Sequence, residues 1–437
     1  MSNDHPTDSD SKSSRKPNSL IRNLGITFIE QVVTKGMSFL IILLLTRMLG
    51  PEEYGKYSLV FVTVALTSAL FDFGMENTAV RFVARDKEKK QAIFGLYLVV
   101  KLFTLLNLVL FFLVAGEWFF SSMHKGDVSE YMPFLIMGLI GESLFFVNDT
   151  YLQANQRFQM RAILNISRYA ISLLYIWILA TSGWTMLNLV FYMYLIPLLF
   201  SCIFLGKYCA FIRSLFRDKL KAAQIAEIAR YEQWMFIFSI ANNLMSRIDF
   251  FMLGFWVGFH QLGIYNAAFQ LCAIVSFLPL VLGKVLLPTL AELKEEAIFL
   301  TTGRIIRVTT MVSLGALLLI PFSAWVVPIL LGKEYTDSVI VLQILLLAFI
   351  GSLMCMPYEQ ALYSLGKPKF LSMCRYAQLG LIIAVNFIAI PLFGIYGAAL
   401  TSLIGRMLYL LGIRYFYRQI EKASEFGSTS TEIARAI

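Results

Sequence analysis

Three histidines and five cysteines are all that the 437 residues offer of the usual transition-metal ligands. His5, His124 and His260 fall in a polar tail or in short turns between apolar runs, so no histidine relay or histidine-centred metal site forms within those runs. Cys202, Cys209, Cys272, Cys355 and Cys374 sit in or beside apolar segments without metal or CxxC spacing, which argues against a disulfide framework and reads as small buried hydrophobes. The chain lacks GxxxxGK[ST] and any GxGxxG after a strand, so it has no phosphate loop. No catalytic constellation, cofactor or metal site is expected. Charge is also scarce: 15% of residues are charged and 58% hydrophobic, with a mean hydropathy of +0.69, which excludes a soluble globular chain of this size.

What the chain has in abundance is apolar helix. A bilayer core of about 30 Å needs about 20 such residues per crossing. Hydropathy places about twelve crossings at 24–48, 56–80, 92–115, 131–154, 162–181, 185–206, 232–256, 262–290, 305–330, 338–361, 373–392 and 394–416. Lys and Arg alternate along the connecting loops, 28 on one side and 4 on the other, a positive-inside pattern that puts both termini in the cytoplasm. The net charge of +9 is spread over these loops, so it is no nucleic-acid signal. The expectation is an all-α polytopic protein of the cell inner membrane. It has a disordered tail over 1–22 without signal-peptide features, six helices over 23–206 and a basic connector over 207–230. Six more helices follow over 231–416, and a second tail over 417–437. Asp8-Ser9-Asp10 formally matches a metal-binding DxD, but in such a tail it reads as a solubilising run.

The halves repeat one another. Gly50, Gly55 and Tyr57 recur as Gly258, Gly263 and Tyr265 at an offset of 208. The same offset carries Gln31, Thr34, Lys35 and Ser38 onto Ser239, Asn242, Asn243 and Ser246, both sets spaced along one helix face. Each half therefore opens with a helix that is apolar except for one polar stripe, which in lipid must face protein or water. Asp149, Leu152 and Ala154 likewise match Glu359, Leu362 and Ser364 at an offset of 210. An even number of crossings between copies makes this a parallel repeat, about an axis along the membrane normal.

Five cations are assigned to the crossings: Lys35, Lys101, Arg247, Lys284 and Arg406. Charges at that depth are costly and face a cavity, water or a partner. They are candidate substrate-binding residues, with Gln31, Asn242 and Asn243 suited to hydroxyl groups. Asp72, Glu76, Glu142, Asp149 and Glu359 are candidates for ion coupling or pairing, as a Glu76–Lys284 pair would be. Glu30 and Asp249 are further acids in or near crossings.

The run Thr46-Arg47-Met48-Leu49-Gly50-Pro51-Glu52-Glu53-Tyr54-Gly55-Lys56-Tyr57-Ser58 resembles the opening of O-antigen-type polysaccharide flippases. So do Asp72-Phe73-Gly74, Leu152-Gln153-Ala154 with Arg157-Phe158, and Leu262-Gly263-Ile264-Tyr265-Asn266-Ala267-Ala268. These belong to the multidrug/oligosaccharidyl-lipid/polysaccharide exporter superfamily. The resemblance covers roughly residues 20–420. It implies two six-helix bundles around a central cavity, working by alternating access on an undecaprenyl-diphosphate-linked oligosaccharide. The implied partners are that lipid-linked substrate and membrane lipids, with a proton or sodium gradient as drive. A multidrug or cation exporter would share the fold but favour acidic cavity groups. A membrane polymerase or ligase would carry a large outer loop, and the loops here are short.

Overall fold

An apolar run in a bilayer must satisfy its own backbone, and the helix does so within one segment. The structure is a computed structural model describing residues 17–86, 88–123, 130–183, 185–217, 220–275, 295–365 and 367–436. Among these residues there are helices and turns but no strand. In chain order the helices are α1 (Pro17–Leu70), α2 (Met75–Arg85), α3 (Lys90–Ser122), α4 (Met132–Ala154), α5 (Phe158–Ser182) and α6 (Met186–Cys202). They continue as α7 (Leu205–Arg217), α8 (Ala222–Trp256), α9 (Phe259–Val275), α10 (Glu295–Leu317), α11 (Leu319–Leu330), α12 (Ser338–Ser364) and α13 (Pro368–Ala436). The tail expected at 1–22 is helical from Pro17, and the one expected at 417–437 is helical to Ala436. Lys284, His124, Asp8-Ser9-Asp10 and the second part of the eighth expected crossing lie outside the described residues.

Among the described residues, seven helices are long and apolar enough to cross a membrane, eight if α6 and α7, bent by 55°, form one span. Two of the seven segments run for 46 and 54 residues, roughly 70 and 80 Å of helix, far beyond a single crossing. Each is interrupted at a glycine of positive φ, Gly50 at 69° and Gly394 at 56°, the backbone region that only glycine enters without steric cost. The chain doubles back at both. Ser38 and Ala69 line one cavity, and Gln378 and Arg406 line another, which straight helices would forbid.

Two expected crossings are interrupted. The one at 56–80 breaks at Asp72-Phe73-Gly74, where Phe73 and Gly74 take φ of 55° and 87°. The Asp72 carboxylate then accepts from the Glu76 backbone N–H at 3.3 Å, satisfying a donor that the new helix leaves open. The one at 305–330 breaks at Leu318, just ahead of Pro321, which has no N–H to continue the ladder.

The core is divided unevenly. At the end carrying the glycine turns, one apolar cluster joins both halves, with Leu45, Tyr54 and Leu59 packing beside Leu253, Tyr265 and Val341. At the basic end there are two clusters. One centres on Phe82, Phe94 and Phe211, the other on Ile298, Tyr358 and Tyr417. The shared cluster is possible because α1 and α9 meet backbone to backbone. A Cβ on Gly55 would lie 1.9 Å from the Phe259 carbonyl oxygen, and one on Gly263 would lie 1.9 Å from that of Pro51. In lipid, where apolar surface alone does not drive helices together, small residues that permit such close packing set the interface.

Candidate functional site

The two polar stripes run along α1 and α8. On α1 Gln31 is half-buried, Thr34 buried and Lys35 exposed. On α8 Asn242 is exposed and Asn243 half-buried. Asn243 donates to the Ala69 carbonyl at 2.9 Å, tying the second stripe to the first half. Gly74 packs on the same helix, its Cβ position 2.8 Å from the Met235 carbonyl oxygen. The second stripe thus lies where α8 meets the first half.

Each stripe leads to a cavity at its last residue. Ser38 lines one of about 260 Å³ with Tyr57, Glu142, Arg168 and Asn266. Ser246 lines one of about 230 Å³ with Asp249, Ser352, Gln378 and Arg406. Between them Arg247 stacks on Phe269, 4.6 Å from its guanidinium carbon to the ring centre, and donates to Asn266 at 3.4 Å. Asn266 in turn donates to Ser58 at 2.8 Å and to Tyr54 at 3.3 Å, so a polar chain crosses the α1–α9 contact.

Most of the acids have partners. Lys101, buried, donates to Asp72 at 2.7 Å. Arg168 forms a short contact with Glu142 and stacks over Phe145. Arg161 holds Asp149 through two hydrogen bonds of 2.7 and 2.8 Å, and Asn165 bridges Asp149 and Glu30. Glu359 accepts from Arg375 at 2.9 Å and from the Tyr409 hydroxyl at 2.7 Å. Asp149 and Glu359 each receive a donor sixteen residues on, from Asn165 and Arg375. Glu76 lies beside Asp72, half-buried, and its proposed partner Lys284 is outside the described residues. Among the described residues no group of three potential metal ligands converges.

Sequence reasoning counted Arg161, Arg168 and Arg375 as loop cations, and the structure brings them onto acids inside the helical layer. Arg168 and Arg375 could have been found, since they lie within the crossings assigned to 162–181 and 373–392. Outside the crossings, Arg85 pairs with Glu227 at 2.6 Å, and Arg81 stacks over Tyr231, joining α2 to the start of α8. The Arg85 hydrogen bond holds the Glu227 carboxyl below its ordinary range.

A family profile described as polysaccharide biosynthesis protein matches residues 20–294. The chain belongs to that family. It is 22% identical over 413 residues to the capsular polysaccharide biosynthesis protein CapF of Staphylococcus aureus, covering 92% of this chain and 100% of that one. It is 21% identical over 404 residues to a protein of Shigella flexneri named as an O-antigen transporter, covering 86% of this chain and 92% of that one. Among solved structures its fold is similar to a lipid II flippase, MurJ, in an inward closed conformation. The TM-score is 0.73 and the identity 12%, over 91% of this chain and 87% of that one. This polysaccharide biosynthesis protein has, among its described residues, seven helices long and apolar enough to cross a membrane. Its fold is also similar to that of a multidrug resistance MATE family transporter of the MOP superfamily, at a TM-score of 0.68 and 16% identity over 91% of this chain and 98% of that one.

Proposed function

We propose that the chain flips an undecaprenyl-diphosphate-linked oligosaccharide from the inner to the outer leaflet of the cell inner membrane by alternating access. Residues 23–206 and 231–416 form two six-helix bundles related by a parallel pseudo-two-fold axis, joined by the connector 207–230, with both termini cytoplasmic. The observation that carries this reading is the uneven core. The halves share one large apolar cluster at the glycine-turn end and have two distinct clusters at the basic end, the first of which reaches the second half only through the start of α8 at Tyr231.

In this reading Lys35 and Arg247 take the diphosphate and Gln31, Asn242 and Asn243 take sugar hydroxyls. Lys284 is a further headgroup candidate. Lys101 acts through its pair with Asp72, and the paired acids Glu142, Asp149 and Glu359 with Glu76 are where a proton or sodium gradient would couple. An exporter of organic cations needs unengaged carboxylates in its cavity. Asp72, Glu142, Asp149, Asp249 and Glu359 are engaged by donors, while Lys35 is exposed, which favours an anionic headgroup. Glu232, whose two carboxylate oxygens have no hydrogen-bond partner among the described residues, is the acid that a cation would use.

The reading is tested in a deletion strain. Lipid-linked oligosaccharide should accumulate and stay out of reach of a membrane-impermeant label until the gene is restored. Accumulation of label-accessible lipid, or none at all, would refute it.

A further inference from the structure

The two cavities are lined by corresponding residues. Ser38, Ile41 and Phe61 of the first match Ser246, Asp249 and Phe269 of the second at the offset of 208. Glu142, Arg168 and Ser172 match Ser352, Gln378 and Ile382 at 210. Their charges are arranged differently. In the first cavity Arg168 closes directly on Glu142. In the second those two positions are neutral, and the charges enter elsewhere, at Asp249 and Arg406.

Asp249 is already saturated. It accepts from the Phe250 N–H at 2.8 Å, from the Tyr265 hydroxyl in a short contact, and from Ser402 at 3.5 Å. Arg406 makes no hydrogen bond or ion pair with another described residue, and the nearby Glu359 carboxylate, which acts on it at longer range, is already taken by Arg375 and Tyr409. Beside Arg406, Gln378 is 4% exposed, and its Oε1 has no partner. As placed, this oxygen would accept from a donor, and a half-turn of the amide would instead point its N–H groups into the same space. Arginine has five donors and no acceptor, and half-buried Arg406 presents them to the cavity, so the component that fits there is an acceptor. The planar guanidinium fork fits two oxygens of one anion. Every described lining residue belongs to α8, α9, α12 or α13, so the cavity is internal to the second half. Its volume of about 230 Å³, room for roughly seven waters at ~30 Å³ each, is too small for a sugar chain and ample for a tetrahedral oxyanion.

We propose that this cavity is a binding site for an oxyanion of the phosphate class, held by Arg406 and Gln378. The phosphate is either a free ion or the headgroup of a prenyl diphosphate. Binding is measured without transport, so the site and the flippase reading fail separately.

The experiment is thermal unfolding of the purified full chain in detergent against inorganic phosphate, against a short-chain prenyl diphosphate, and against chloride at matched ionic strength. A ligand that binds the folded chain raises Tm in a concentration-dependent way. Inorganic phosphate should do so if the ion is free, and the prenyl diphosphate alone if the site reads a lipid headgroup. Either result supports the site provided Arg406→Gln weakens it by about 10–100-fold, the worth of one charge-assisted hydrogen bond. Should that variant fail to fold, Gln378→Leu carries the same test with the charge kept. Asp249→Asn separates anion from cation binding, because it should preserve or tighten phosphate binding and would abolish a cation site. No shift with either phosphate ligand, an equal shift with chloride, a shift untouched by Arg406→Gln or Gln378→Leu, or binding lost in Asp249→Asn each overturns the proposal.

Discussion

Asn266 donates to Ser58 across 2.8 Å, and the two residues stand 208 positions apart, the same offset that relates Gly55 to Gly263. In an isologous contact, each side presents the same patch, and a residue meets its own counterpart only on the axis. Two such pairs about one turn apart, Gly55 with Gly263 and Ser58 with Asn266, meet at the α1–α9 crossing, which supports the proposed two-fold relation of the halves. The polar pair fixes register where the glycines give only proximity.

Bulky residues at either glycine should therefore act through assembly. Gly55→Leu and Gly263→Leu force a side chain into a backbone carbonyl, an overpacking cost of about 1–3 kcal/mol or more. Membrane abundance and transport should fall together, as read by immunoblot and by polymer export. A variant of normal abundance that has lost only transport would place the glycines in the substrate path instead.

The Asp72–Lys101 pair makes a second case. Both side chains are shielded, 16% and 4% exposed, so removing one partner strands a buried charge at a cost of about 3–5 kcal/mol. Lys101→Ala should lower the unfolding temperature sharply, and Asp72→Ala combined with Lys101→Ala should recover most of the loss. Equal loss in the single and double variants would mean that the pair is not the reason for either charge.

How much of this was legible in the sequence depends on what periodicity can report. The glycine turns, the two stripes and the acids at 149 and 359 are visible because spacing fixes which face a residue takes. What lies opposite is not encoded in spacing. Arg375, counted with the loop at 367–375, reaches Glu359 across a turn, and Asn165 joins Glu30 to Asp149 from 135 residues away. The break at Asp72-Phe73-Gly74 was equally hidden. Hydropathy averages over it, whereas the backbone follows the local capping of a short aspartate beside a glycine.

The Arg85–Glu227 contact should be sensitive to pH and salt. Because Arg85 lowers the Glu227 pKa, its contribution to stability is present above the ordinary carboxylate range and is lost as pH falls through the lowered value. Both groups are exposed, so salt should screen the effect. Comparing wild type with Glu227→Gln, the stability difference should be present at neutral pH and vanish in acid. A difference that grows on acidification would reverse the assigned sign.

Reporter fusions address topology. Fusions after Lys221 and at the C-terminus should read cytoplasmic, and fusions at His124 and His260 external. An external reading at Lys221 would break the six-plus-six arrangement.

The central claim is movement of an anionic lipid-linked oligosaccharide past the cations between the halves. It is tested most directly by reconstituting the purified chain into vesicles that hold the lipid-linked oligosaccharide and following its appearance in the opposite leaflet with an impermeant label. Wild type should move it. Lys35→Ala and Arg247→Ala, at matched protein content, should weaken headgroup binding by about 10–100-fold, the loss of one desolvated charge-assisted contact, while Lys35→Arg is milder. Normal movement by both alanine variants would remove the headgroup site, and no movement by the wild-type chain under an imposed proton or sodium gradient would contradict the account itself.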